Sequence, residues 1–70
     1  MNELQALIIQ FLALTLDFEA LDDIQRFEGL THLTEDQIKV ECDQLVKQGY
    51  VKSESKSKVY ALNIDVIKYE

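Results

Sequence analysis

The sequence predicts a small, mostly helical α+β domain in which three helices are followed by a β-hairpin. Three observations predict it. Apolar residues recur at helical spacing in the first and third segments of the 70-residue chain. Glycine occurs only at positions 29 and 49 and proline nowhere, so two glycines do the punctuating. After Gly49 the helical period gives way to short β-prone runs separated by a polar turn.

The first helix is expected over residues 3–15. Leu4, Leu7, Ile8, Phe11 and Leu12 fall on one helical face, and Asn2 can cap the first turn with its side-chain oxygen. A second apolar stripe, Ala6, Ile9, Ala13 and Leu16, runs beside that face. Such a helix is either buried on two sides or part of an interface. The second helix is expected over residues 18–28, with Asp17 as its cap and Gly29 as its stop; Leu21, Ile24 and Phe27 recur every third residue.

The third helix, over residues 34–48, has the strongest local signals. Thr34 and Gln37 have the spacing of a capping box, and Leu33 and Ile38 that of a hydrophobic staple. Ile38, Cys42, Leu45 and Val46 form its inward face. Gly49 ends it, with Lys47 in the last turn where a cation suits the helix dipole, and Tyr50 in position for a Schellman contact with Leu45. A hairpin is then expected over residues 50–62, turning at Ser55-Lys56-Ser57. Asn63 is read as the cap of a short final helix carrying Val66, Ile67 and Tyr69.

Length and composition narrow the function classes. Residues 1–70 form one domain, and a chain this short buries only about 60% of its unfolded surface. One cysteine, Cys42, allows no internal disulfide, and one Cys with one His, His32, cannot close a four-ligand zinc site. No metal or cofactor is therefore expected, which leaves oligomerisation as the remaining support for so small a core. The start, Met1-Asn2-Glu3, lacks the basic character of a secretory leader, and the apolar run over residues 6–16 is far shorter than the ~20 residues of a membrane span. No membrane association and a cytoplasmic location are expected. Adjacent carboxylates such as Asp22-Asp23 do not face each other on a helix. With no phosphate loop and no nucleophile beside a base, binding rather than catalysis is expected.

Charge is unevenly placed. Through Val46, ten acids stand against Arg26 and Lys39, a net −8, whereas residues 47–60 carry a net +3. The whole chain is at −6.

The run Leu45-Val46-Lys47-Gln48-Gly49-Tyr50-Val51, followed by Val59-Tyr60-Ala61-Leu62, resembles the end of the recognition helix and the two wing strands of bacterial and archaeal winged helix-turn-helix regulators. The resemblance covers about residues 18–62. It implies a winged-helix fold in which the third helix enters a DNA major groove and the hairpin touches the backbone or minor groove. The duplex-DNA contacts it then implies are Lys39, Val40, Gln44 and Lys47 on the helix and Lys52, Lys56 and Lys58 on the wing. One departure stands out. At about 100° per residue, the outward side of the third helix carries Asp36, Val40, Asp43, Gln44 and Lys47, and two aspartates oppose phosphate.

Each candidate also has a plainer role. Hairpin lysines keep an edge solvated, Gln37 is engaged by the capping box, and a single exposed valine is ordinary. Cys42 reads as a small buried hydrophobe and His32 as a surface residue in a turn. Two functions follow: a small DNA-binding transcriptional regulator, or an acidic winged helix that regulates or inhibits a protein partner without binding DNA. A homodimer is expected through Ala6, Ile9, Ala13, Leu16 and Ile67.

Overall fold

The computed structural model describes residues 2–54 and 58–63. Within them, three helices and a three-stranded antiparallel sheet run in the order α1 (Glu3–Thr15), β1 (Glu19–Ala20), α2 (Leu21–Gln25), α3 (Glu35–Gln48), β2 (Val51–Glu54) and β3 (Val59–Leu62).

α1 begins where expected and for a fuller reason. Asn2 Oδ1 accepts from the Gln5 amide at 2.8 Å, and the Gln5 side chain accepts from the Asn2 amide, which makes a capping box. Ile8 and Leu12 are fully buried, with Leu4, Leu7 and Phe11 packed against the core beside them. The helix ends at Leu16, which takes the left-handed conformation (φ +52°) and donates its amide to the Leu12 carbonyl at 2.9 Å.

The second segment differs from the expected helix. Instead of helix from residue 18, Glu19–Ala20 form β1 and pair with Tyr60 and Val59 of β3. Asp17 caps no helix; its carboxylate accepts from the adjacent Phe18 amide at 2.8 Å, and Ala20 precedes α2 without a side-chain cap. Gly29 does not stop the helix, because α2 is over by Gln25. Beyond it the backbone advances by i→i+3 bonds: Phe27 to Ile24, Leu30 to Phe27 and Leu33 to Leu30. The apolar residues Leu21, Ile24, Phe27, Leu30 and Leu33 recur every three residues, the period of such turns rather than the 3.6 of an α-helix. Ile24 and Leu30 are fully buried. Phe27 stacks tilted on Phe11 with ring centroids 5.2 Å apart, tying this segment to α1. Gly29 sits within the turns at φ +94°, and a Cβ there would lie 3.0 Å from Leu7 Cδ1, so glycine admits both the left-handed turn and the close approach of α1.

α3 follows its local signals. Thr34 and Gln37 complete the capping box at 3.2 and 2.9 Å. Gly49 takes φ +87°, its amide bonds the Val46 carbonyl and the Tyr50 amide bonds the Leu45 carbonyl, which is the paired bonding of a Schellman motif. Ile38, Cys42 and Leu45 are fully buried and Val46 is partly so.

β2 and β3 form the expected hairpin, with Val51 opposite Leu62, Lys52 opposite Ala61, Ser53 opposite Tyr60 and Glu54 opposite Val59. β3 is central in the sheet order β1-β3-β2, so the expected two-stranded hairpin has a third strand. Asn63 fastens the end of β3 to the helix exit: its amide donates to the Tyr50 carbonyl and its Nδ2 to the Gly49 carbonyl, both at 2.9 Å. The final helix expected after Asn63, with Val66, Ile67 and Tyr69, lies outside the described residues, as does the turn containing Lys56. The core joins all three helices to the sheet through Ile8, Leu12, Ile24, Leu30, Ile38, Leu45, Val51, Tyr60 and Leu62.

Candidate functional site

α3 runs straight through its glycine into β2, so its outward side and the hairpin form one continuous surface. Where they meet is an open cleft of about 270 Å³ lined by Lys39, Asp43, Ser53, Glu54, Lys58 and Tyr60. Its chemistry centres on Asp43. Lys39 Nζ, one helical turn earlier, donates to Asp43 Oδ2 at 2.7 Å. The buried Tyr60 hydroxyl donates to Oδ1 at 2.8 Å. The Lys39 hydrogen bond holds the Asp43 carboxyl below the usual range, and the same bond raises the Lys39 ammonium. Burial first, then the Asp43 contact, raises the Tyr60 phenol. The cleft therefore holds a neutralised pair and a phenol that stays protonated.

The candidate DNA contacts are dispersed over this surface. Lys39 is paired with Asp43. Val40 is 54% exposed, on the outward side. Gln44 is exposed, but its side-chain carbonyl accepts from Gln5 Nε2 at 3.0 Å, so it is held toward α1. Lys47 is exposed near the end of α3. Lys52 lies exposed on β2, and Lys58 is exposed at φ +52° just before β3, its amide bonded to the Glu54 carbonyl at 2.9 Å. Lys56 lies outside the described residues. Glu35 and Asp36 are exposed in the first turn of α3, where carboxylates suit the helix dipole.

The dimer candidates are split as well. Ala6, Ala13 and Leu16 are exposed, whereas Ile9 is half-buried and packs against the core. Ile67 lies outside the described residues. A second cleft, of about 230 Å³, opens where the chain leaves α1; Leu16, Asp17 and Phe18 line it with Lys52, Ala61 and Leu62.

Two contacts were not anticipated from the residues. Gln5, only 3% exposed on an otherwise apolar helix face, donates from Nε2 to both Glu41 Oε1 and Gln44 Oε1 at 3.0 Å. Asn2 Nδ2 adds a third bond, to Glu41 Oε1 at 3.1 Å. This clamp sets α1 against α3. The Asn2-to-Gln5 spacing, which is that of a capping box, was the available signal for its first half. The Tyr60–Asp43 bond had no local signal, being a contact across 17 residues.

Cys42 is fully buried, and burial pushes its thiol up to about 12, which makes it unreactive as a nucleophile. His32 is exposed in the turn before α3. Among the described residues no group of three His, Cys, Asp or Glu side chains is placed to hold a metal ion, and no helix is long and apolar enough to cross a membrane. In comparisons with known proteins, the chain matches no protein-family model, no curated protein and no solved structure.

Proposed function

We propose that this protein is a winged-helix domain that acts by binding, and that the surface formed by α3 and the hairpin takes a protein partner with a basic face. The fold reading is supported by the order α1-β1-α2-α3-β2-β3, with the sheet arranged β1-β3-β2 and α3 passing through Gly49 directly into the hairpin. The observation that carries the choice of partner is the state of α3. Its Lys39 is neutralised by Asp43 while Glu35 and Asp36 remain exposed. Phosphate neutralisation by cations dominates DNA affinity, so a helix of this kind entering a groove brings carboxylates to a polyanion. The same carboxylates attract lysines and arginines on a protein and steer its approach.

Duplex DNA is the second reading, favoured by the exposed Lys47, Lys52 and Lys58. A titration of mixed-sequence duplex at low salt separates the two. The protein-partner reading expects no binding. Binding that weakens steeply with salt and is lost in the Lys52→Ala/Lys56→Ala/Lys58→Ala variant would overturn it in favour of DNA, because any DNA binder carries a non-specific electrostatic component.

A further inference from the structure

The stretch from Leu4 to Leu16 is charge-free, yet Ala6, Gln10 and Ala13 on its outward side are exposed. Ala6, Ile9, Ala13 and Leu16 are spaced three, four and three residues apart, the a/d spacing of a two-helix seam, and alanine at two of the four positions lets a second helix come close. At the end of this seam stands Leu16. It combines two costly features: a left-handed backbone (φ +52°), which leucine adopts less readily than glycine or asparagine, and a large apolar side chain 68% exposed. Glycine or asparagine would end the helix at less cost. Two residues on, Phe18 is 45% exposed, and both side chains line the 230 Å³ cleft against β2 and β3.

We infer that this seam and cleft form a two-fold interface with a second copy of the chain. Charge selects the occupant. The chain carries −6, so most contacts between two copies oppose carboxylates. The seam carries no charge. In a two-fold contact the same patch meets itself, so a charge-free patch is where two acidic copies can meet without opposing carboxylates. Size agrees. A standard interface takes about 800 Å² from each partner, about a sixth of the 4711 Å² that this chain exposes. α1 supplies roughly 20 Å of helix, and Leu16 and Phe18 extend it.

Sedimentation velocity over a concentration series tests the inference, with Leu16→Asn and Ala13→Glu as variants. Asparagine accepts the left-handed conformation, and glutamate is close to alanine in helix propensity, so both variants are chosen to keep the fold. The wild type is expected to be a dimer at sub-millimolar concentration. Leu16→Asn should weaken it by about 100-fold or more, since two leucine side chains are re-exposed per dimer. It should do so without lowering the melting temperature measured at high dilution, whereas a Leu16 needed only for the monomer fold would lower it. Ala13→Glu should give a helical monomer by circular dichroism. A wild type that stays monomeric near millimolar concentration would overturn the inference, and so would a dimer that persists in both variants.

Discussion

α1 and α3 are built alike on the inside and differently on the outside. Each has a capping box, a left-handed residue at its end and three buried side chains: Gln5, Ile8 and Leu12 on one, Ile38, Cys42 and Leu45 on the other. Outward, α1 shows alanine, glutamine and leucine beyond its first-turn Glu3, while α3 shows carboxylates, lysines, glutamines and one valine. Their stops differ too, since α3 uses Gly49 and α1 uses Leu16. Burial explains the inner similarity and leaves the outer difference unexplained. The two outward sides therefore differ in character, largely apolar on α1 and charged on α3.

The largest test of the inner similarity is truncation at its centre. Ile8→Ala and Ile38→Ala are each expected to destabilise by about 2–5 kcal/mol in urea unfolding, since both side chains are fully buried. Markedly unequal losses would show that one helix is peripheral to the core.

Gln5→Ala addresses the joint between the helices. It removes the donor to Glu41 and Gln44, and a loss of about 1–3 kcal/mol is expected. A double-mutant cycle with Gln44→Ala should give a coupling energy clearly different from zero; additive losses would mean that the clamp contributes nothing as a pair.

The glycines sharpen the contrast between crowded and open turns. Gly49→Ala meets nothing within 4 Å and should lose only the cost of a left-handed alanine, about 1–2 kcal/mol. Gly29→Ala incurs the same cost and in addition presses on Leu7, so its melting temperature should fall further.

The smallest effect concerns Asp43. Its carboxyl is held low by Lys39, so its contribution is present above the ordinary aspartate pKa of about 3.9 and is lost as pH falls through the depressed value. Asp43→Asn should thus lower the melting temperature slightly at pH 7, with the gap to wild type closing as pH falls below the ordinary aspartate range. A gap that stays constant across that range would show that the ion pair adds no pH-dependent stability.

Much of this architecture was legible in the residues because its causes are local. Asn2, the Thr34–Gln37 box, Gly49 and the inward face of α3 act within about four residues of themselves, so their hydrogen-bond partners and their period can be read from neighbouring positions. The hairpin was legible for the same reason, since β2 and β3 are neighbours in sequence. The shortness of α2 was not legible, because a spacing of three over Leu21, Ile24 and Phe27 fits an α-helix as well as the i→i+3 turns that follow Gln25. What only the tertiary structure decided are the pairings across long stretches of chain. Glu19–Ala20 become a strand because β3, some 40 residues later, offers unpaired backbone groups there. Lys39 stays charged but is paired with Asp43, a contact that helical spacing permits, while Tyr60, distant in sequence, holds the other carboxylate oxygen. Gln44 turns from the expected groove toward Gln5, because a buried amide on α1 needs an acceptor and α3 is the element packed against it. Local hydrogen bonding and hydrophobic period determine α1 and α3, whereas strand pairing and the satisfaction of buried polar groups between distant segments decide the extent of α2 and which side chains of α3 are engaged.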